Sequence, residues 1–328
     1  MNRELTFAQA IQESTLQLME RHSEVYVMGE GVDDYKGVWG TTIGLVERFG
    51  ADRVIDIPLS ENAMTGIALG SSLLGFKPIF VHQRIDFMLM CMDAIFNQGA
   101  KWNYMTGFNK NMNLVVRAVI GKGWGQSVQH AQSFYPIFAH FPGVKVVAPF
   151  TPQEAKGLLI SAVNEKEPVI IIEAKNLYES KGEVSDDFKG IDLGKANIIK
   201  NGHDVTIAGL SSSLKDIMDA VPDIENKGIS AEIINILSIK PLDIETIIES
   251  VKKTKNLIIV DITWEHFNIA TEISSLVSEK LFGVLQRPPL RIALPDSYVG
   301  MSEELEKRYY VNKVKLIEKI IEWYNRGN

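Results

Sequence analysis

The sequence has 328 residues, of which 45% are hydrophobic and 23% are charged, so it is long enough for two domains with sizeable cores. Its 34 basic and 41 acidic side chains give a net charge of −7. This balance, with no Lys/Arg-rich run, argues against nucleic acid or an anionic membrane as the main partner. The single cysteine, Cys91, excludes an internal disulfide and a cysteine-based zinc site, which predicts a core role for Cys91 and a reducing, cytoplasmic location.

The N-terminal 22 residues lack the apolar stretch of a signal peptide, and their spacing predicts an amphipathic helix. The longest apolar runs, at residues 168–172 and 257–260, fall far short of the roughly 20 residues that span a bilayer. We therefore expect no membrane-spanning segment.

The first half of the chain alternates predicted strands and helices. Strands are predicted at residues 25–30, 54–57, 77–82, 114–120, 144–149 and 168–174, with a short helix at 41–49 and longer helices from Ser60 and Phe87. Because these strands are nearly uninterrupted hydrophobic runs, the sequence predicts an α/β fold with a mostly parallel sheet covered by helices on both faces.

A polar stretch without periodicity follows and predicts a linker. We place the first domain at residues 1–185, the linker at 186–201 and a smaller α/β domain at 202–328. The last segment predicts an amphipathic helix, which either packs on its own domain or docks a partner.

The stretch from Arg53 to Gly75 organises the chain, because it reads as a buried strand running straight into a helix. Ser60 is the predicted N-cap, and Glu61 lies in the first helical turn. The predicted apolar face of the helix comprises Met64, Ile67, Ala68 and Leu74. Glu61 either points into the crevice at the strand ends, where ligands bind in parallel sheets, or only complements the helix dipole, worth roughly 0.3–1 kcal/mol.

Common motifs for dinucleotide binding, nucleotide hydrolysis, zinc proteolysis and serine esterase chemistry are absent from the sequence. What remains is a set of polar residues at strand ends that can support acid/base chemistry: Glu30, Glu61, His82, Arg84, Asp86 and, in a Gly-rich loop, His130. Taken alone, the position of His130 favours a solvated loop histidine over a functional one. An unrelated α/β enzyme using Glu61 and His130 without a cofactor is one open alternative.

Five segments together are far more specific than any single motif. They are GEGVDD from Gly29, DIPLSENAMTGIALGSSLLGFKP from Asp56, MDAIFNQGAKWNYM from Met92, GWGQSVQHAQSFYPIFAHFPGVKVVAPFTPQEAKGLL from Gly123 and EPVIIIE ending at Glu173. Over essentially the whole chain, their order resembles the β subunit of the thiamine diphosphate-dependent decarboxylase component of 2-oxo acid dehydrogenase complexes, in the transketolase-like superfamily. The resemblance implies a pyrimidine-binding domain followed by a transketolase C-terminal-like domain.

The resemblance also implies roles for individual residues. Glu61 matches the glutamate that hydrogen-bonds the aminopyrimidine ring of the cofactor and drives its activation. Phe87 matches an aromatic residue packed on that ring, and Glu30 an acid near the cofactor. His130 matches a histidine near the substrate carboxylate and the acyl-transfer step.

No G-D-G motif, the superfamily's signature for Mg²⁺ and diphosphate, occurs in the sequence. The resemblance therefore implies a separate α subunit that binds most of the Mg²⁺-diphosphate group, in an α2β2 heterotetramer with β–β contact. The family's acyl acceptor is lipoamide, on a lipoyl acyltransferase.

The segment FVHQRIDF departs from the commoner pyruvate-type and branched-chain-type pattern, because it carries His82, Arg84 and Asp86. We expect these three residues to contact the substrate, an unusual 2-oxo acid. Two alternatives remain, a non-catalytic structural or regulatory paralogue and a thiamine-dependent enzyme with a non-lipoyl acceptor.

Overall fold

The structure is a computed structural model that describes residues 2–107, 111–121 and 127–326. The described residues fall into two compact units, one with residues up to 121 and 137–193, the other with residues 127–136 and 194–326. We call these the first unit and the second unit. The division after residue 193 lies inside the predicted linker.

Up to residue 193 the chain alternates strands and helices. The strands are β1 (Asn2–Thr6), β2 (Val25–Gly29), β3 (Val54–Asp56), β4 (Lys77–His82), β5 (Val115–Ile120), β6 (Lys145–Val147), β7 (Val169–Ala174) and β8 (Lys181–Ser185). The helices are α1 (Phe7–Arg21), α2 (Leu45–Phe49), α3 (Glu61–Leu73), α4 (Ala100–Met105), α5 (Tyr135–His140) and α6 (Pro152–Ala162). The helix predicted from Phe87 is instead a 3₁₀ helix at Phe87–Cys91, a π-helix at Asp93–Gly99 and then α4.

Six strands of the first unit follow one another in the order β6-β7-β5-β4-β2-β3, and each neighbouring pair is parallel. The residues of β2, β5 and β7 are buried throughout. Both observations confirm the predicted parallel sheet covered on two faces.

The sequence reading missed β1, which pairs antiparallel with β8. Strand β8 lies in the polar stretch, for which the sequence predicts no regular structure. Lys156 of α6 is fully buried there, and its Nζ lies 2.7 Å from Glu13 Oε1 of α1 and 2.7 Å from the carbonyl oxygen of Ser185. These contacts hold the β1–β8 ribbon against two helices.

The predicted apolar face of α3 is correct only in part: Ala68 is buried and Met64 is half-buried, but the other two residues are exposed. Ile67 and Leu74 are 57% and 81% exposed, whereas Thr65 and Ser72 are buried. The hydroxyl groups of Thr65 and Ser72 donate to carbonyl oxygens one turn earlier in the helix, so these small residues can be buried without losing hydrogen bonds. Ser60 does occupy the N-cap position, but its side chain makes no capping hydrogen bond.

The second unit has its own sheet. The strands of this sheet are β9 (Asn197–Lys200), β10 (Val205–Gly209), β11 (Ala231–Asn235), β13 (Leu257–Trp264) and β14 (Leu290–Leu294). The unit also contains a short strand outside this sheet, β12 (Ser238–Lys240). Its helices are α7 (Ser213–Glu225), α8 (Ile244–Thr254), α9 (Ile269–Lys280), α10 (Glu303–Tyr309) and α11 (Lys313–Asn325). The order β14-β13-β10-β11-β9 is parallel except at β9, which pairs antiparallel with β11. The C-terminal helix α11 packs on α7 of its own unit.

None of the helices in the described part of the chain is long and apolar enough to cross a membrane.

The core of the first unit contains a fully buried ion pair. Arg117 of β5 donates two hydrogen bonds to Glu173 of β7, at 2.6 and 2.9 Å, and the hydroxyl of Tyr178 donates a third at 2.7 Å. A buried charge that loses its partner is strongly destabilising, because the low-polarity interior cannot solvate it.

We expect Arg117→Met to lower the free energy of unfolding by about 3–5 kcal/mol, since Glu173 would keep a buried, uncompensated charge. Urea denaturation followed by circular dichroism measures this loss. The control Lys307→Met breaks an exposed pair with Glu303 and should cost at most about 1 kcal/mol. Adding Glu173→Gln to Arg117→Met should recover part of the loss, and no recovery would contradict the electrostatic explanation.

Candidate active site

The carboxyl ends of β3, β2 and β4 meet at one edge of the first sheet. Gly29 pairs with Asp56 on one side and with Val81 on the other. The residues that follow these positions therefore leave the sheet together, and this is where ligands bind in parallel α/β sheets.

Three carboxylates gather at this edge. Burial raises the pKa of Glu30, and the charges of Glu61 and Asp56 raise it further. Asp56 Oδ1 also accepts a hydrogen bond of 2.7 Å from the backbone N–H of Gly31, and the Gln83 side-chain amide donates one of 2.7 Å to the Glu30 carbonyl oxygen. Burial and nearby like charges raise the pKa of a carboxyl group, and such shifted groups are common at functional sites.

Glu61, the first residue of α3, is half-buried. Its backbone carbonyl accepts a hydrogen bond of 2.6 Å from the Thr65 hydroxyl. This hydrogen bond closes the first turn of the helix, and the charge of Glu61 acts on Glu30.

His82, the last residue of β4, is buried. Its ring lies against Phe80, with 4.3 Å between ring centroids, and its Nε2 is 3.7 Å from the Cys91 sulfur. Burial lowers the pKa of His82 to about 4 and raises the pKa of Cys91 to about 11. Both groups are therefore neutral near pH 7, and Cys91 is an unreactive core thiol.

Several of these side chains line a small recess. Its lining comprises Glu30, Ile57, Glu61, Phe80, Val81, His82, Gln83 and Phe87. It encloses only about 10 Å³, about the room of one water molecule. Phe87 is 38% exposed, which leaves its ring accessible.

The recess brings together four of the residues proposed from the sequence, Glu30, Glu61, His82 and Phe87. Sequence reasoning missed the other lining residues, including Ile57 and Gln83. The available signal was their position, since each follows the end of a strand whose neighbours already carried candidate residues.

Arg84 and Asp86 are not among the lining residues. Arg84 is only 2% exposed, and Asp86 is half-buried. The Arg84 charge acts on Lys175 and Tyr178: burial lowers the pKa of Lys175, and Arg84 lowers it further. Arg84 thus lies in the interior near the end of β7.

His130 is half-buried in a loop that belongs to the second unit, following the 3₁₀ turn Ser127–Gln129. The neighbouring Gly123 and Gly125 of the Gly-rich loop lie outside the described residues. Within the described ranges, no group of three or more His, Cys, Asp or Glu side chains is arranged to hold a metal ion.

Family models match both halves of the chain. Residues 3–181 match the transketolase pyrimidine binding domain, and residues 194–316 match the transketolase C-terminal domain. Among solved structures, a split-gene transketolase described as an inactive β4 tetramer aligns with a TM-score of 0.81 over 99% of both chains at 18% identity. That likeness supports the fold.

Curated relatives are similar over nearly their full length. The acetoin:2,6-dichlorophenolindophenol oxidoreductase subunit β of Cupriavidus necator is 40% identical, with 94% of each chain covered. The protein of the same name from Bacillus subtilis is 37% identical, with 98% of each chain covered. The pyruvate dehydrogenase E1 component subunit β of Rickettsia bellii is 36% identical, covering 93% of this chain and 94% of the relative.

His82 gives a pH-dependent prediction. Since burial lowers its pKa from 6.5 to about 4, the folded state binds fewer protons than the unfolded state between these values. The stability that neutral His82 contributes is therefore complete above pH 6.5 and is lost as the pH falls toward 4, by up to about 1.4 kcal/mol per pH unit. We expect His82→Gln to reduce the fall in melting temperature between pH 7 and pH 5.

The matched control is His203→Gln, since the His203 side chain is 76% exposed. It should leave the acid-induced fall in melting temperature unchanged. Equal behaviour of the two variants would show that His82 does not cause the acid sensitivity.

Proposed function

Because this chain belongs to the family of transketolase-like β subunits of pyruvate and acetoin dehydrogenase systems, we propose that its first unit supplies the aminopyrimidine-activating half of a thiamine diphosphate site. The family consists of thiamine diphosphate-dependent oxidoreductases. The observation that carries the proposal is that Glu30, Glu61 and Phe87 line the same recess. The reaction is decarboxylation of a 2-oxo acid followed by acyl transfer.

The residues that line the recess have the chemistry that one side of an aminopyrimidine site requires. An aminopyrimidine ring is flat, with apolar faces and a polar edge, and the lining offers the apolar surfaces of Ile57 and Phe87 beside the carboxyl group of Glu61. Apolar walls with a few well-placed polar groups are the usual composition of cofactor sites.

In this proposal Glu61 hydrogen-bonds a ring nitrogen of the cofactor and holds a proton there. When bound, the cofactor supplies a carbon nucleophile and an electron sink for loss of CO₂. Burial and the neighbouring carboxylates raise the pKa of Glu30, which favours the neutral form of this side chain beside Glu61. Phe87 packs on the face of the ring.

His130 serves the acyl-transfer step. In transfer to a lipoyl group the acyl carbon loses two electrons, the S–S bond of the lipoyl ring breaks, one sulfur forms the thioester and the other becomes a thiol. That second sulfur requires a proton, and the imidazole of His130 donates it.

A separate α subunit completes the site. The relatives are named subunit β, which implies an α partner, and this chain lacks the G-D-G motif. The recess alone encloses too little space for a ring. We propose that the α subunit binds the diphosphate through Mg²⁺ in an α2β2 assembly with β–β contact.

Two donors are consistent with the family. Pyruvate is the 2-oxo acid in the name of one relative, and acetoin, a hydroxyketone, is the donor in the names of two others. Each can pass a two-carbon acyl unit to an acceptor, pyruvate with loss of CO₂ and acetoin with release of acetaldehyde. The acceptor is either a lipoyl acyltransferase or a non-lipoyl acceptor. His82 is the residue of the FVHQRIDF segment proposed to influence this choice, because it lines the recess.

The experiment that tests the function is reconstitution with the α subunit, Mg²⁺ and thiamine diphosphate. Turnover of pyruvate and acetoin is followed with dichlorophenolindophenol as the electron acceptor. We expect Glu61→Gln to lower turnover at least about a hundredfold while leaving subunit assembly intact, because the ring nitrogen would lose its proton-holding carboxylate.

The matched control is Glu47→Gln. Glu47 lies in the first turn of α2, so both substitutions remove a charge that complements a helix dipole. Equal loss of activity in Glu61→Gln and Glu47→Gln would show that Glu61 acts only by complementing the helix dipole. An assembled wild-type complex that binds no cofactor would favour the non-catalytic paralogue.

We expect His130→Ala to lower acyl transfer to free lipoamide at least about tenfold while leaving dichlorophenolindophenol-linked turnover and cofactor affinity nearly unchanged. The control is His266→Ala, at a histidine whose side chain is 60% exposed. An equal loss of cofactor affinity in His130→Ala would indicate a purely structural role for His130.

A further inference from the structure

The loop that carries His130 is built on the second unit. Residues 127–136 follow β5 in the sequence, yet they group with residues 194–326 rather than with the strands on either side of them in the chain. The contacts of this loop show how it is held.

One buried contact joins Tyr135 to Asp261. Tyr135 is fully buried, and its hydroxyl donates a hydrogen bond to Oδ1 of Asp261, a residue of β13 that is 1% exposed. Burial and the Asp261 charge raise the pKa of Tyr135 well above its ordinary value, so the hydroxyl remains a donor across the physiological pH range.

Asp261 is itself held by backbone groups. Its Oδ1 accepts hydrogen bonds from the N–H groups of Ile262 at 2.7 Å and Thr263 at 3.3 Å, and its Oδ2 accepts one from Ala270 at 3.3 Å. Ala270 lies in the first turn of α9. The acceptor for Tyr135 is therefore fixed by both a strand and a helix of the second unit.

Two further hydrogen bonds lie on either side of His130 in sequence. The Ser127 hydroxyl donates to the carbonyl oxygen of Val299 at 3.2 Å, and the Tyr310 hydroxyl donates to the carbonyl oxygen of Ala131 at 3.2 Å. Positions 127, 131 and 135 are thus each tied to the second unit. Val128 and Gln129, between the first two ties, are exposed.

We propose that the second unit is the platform that positions His130, with Tyr135, Asp261, Ser127 and Tyr310 as positioning residues for acyl transfer. This inference rests on the role of His130 given under the proposed function. An imidazole that donates a proton must sit within hydrogen-bond reach of the sulfur that receives it. A short, exposed turn has little packing of its own to fix such a position, so the three ties restrict it.

The alternative is that these hydrogen bonds only stabilise the fold. A structural role predicts lower thermal stability with every catalytic step affected alike. A positioning role predicts a loss confined to the step that uses His130, and the two roles can therefore be separated by comparing steps.

The experiment uses the reconstituted complex of full-length chains and three variants that each remove one hydroxyl group: Tyr135→Phe, Tyr310→Phe and Ser127→Ala. The matched control is Tyr26→Phe, which removes a buried hydroxyl bonded to Ser71 in the first unit. Each complex is assayed for acyl transfer to free lipoamide and for dichlorophenolindophenol-linked turnover, and hydrogen–deuterium exchange is measured over residues 127–134.

We expect Tyr135→Phe to lower kcat for acyl transfer about tenfold, to leave dichlorophenolindophenol-linked turnover within about twofold of wild type, and to speed exchange in residues 127–134. The other two variants should change in the same direction, and Tyr26→Phe should not. Adding Tyr135→Phe to His130→Ala should cause no further loss, because the two residues act through one group.

Equal loss in both assays, or unchanged exchange over the loop, would overturn the positioning role. If Tyr135→Phe left acyl transfer unchanged while His130→Ala lowered it, the positioning role would also be overturned, and the proposed function would stand. A harmless His130→Ala would instead refute the role of His130 in the proposed function, and the platform inference would fall with it.

Discussion

The close approach of β2 to β4 at Gly29 is the constraint on which the recess depends. A Cβ atom at this position would lie 2.4 Å from the carbonyl oxygen of Val81, closer than nonbonded atoms can come. Because Gly29 also pairs with Asp56, three strand ends meet side by side. A side chain at Gly29 would push β2 away from β4 and separate the carboxylates from the aromatic wall formed by Phe80 and Phe87.

The parallel sheet of the first unit could be predicted from the sequence, because buried parallel strands have continuous apolar runs of residues. The exceptions have physical causes. Strand β1 is polar and depends on a partner, β8, almost the whole first unit away in sequence. Helix α3 turns small hydroxyl residues toward the sheet and leaves Ile67 and Leu74 exposed, and spacing alone does not show which face of a helix is covered.

The site was predictable to the level of strand ends. Position relative to strand ends identified Glu30, Glu61 and His82, and the resemblance added Phe87; all four line the recess. Position did not give the direction of side chains in the turn after β4, where Arg84 enters the interior instead of the recess. It also did not give the second-unit contacts of the loop carrying His130, since these depend on residues more than a hundred positions later, such as Asp261 and Tyr310.

The grouping of residues 127–136 with the second unit has a consequence for modularity. The second unit cannot be exchanged as the contiguous C-terminal segment alone, because residues 127–136, from the middle of the pyrimidine-binding region, pack as part of it. A chimera that replaced only residues 194–326 would leave Tyr135 facing a foreign partner. Recombination between paralogues would therefore keep both pieces together, and co-inheritance of residues 127–136 with the C-terminal segment would mark this division of the chain.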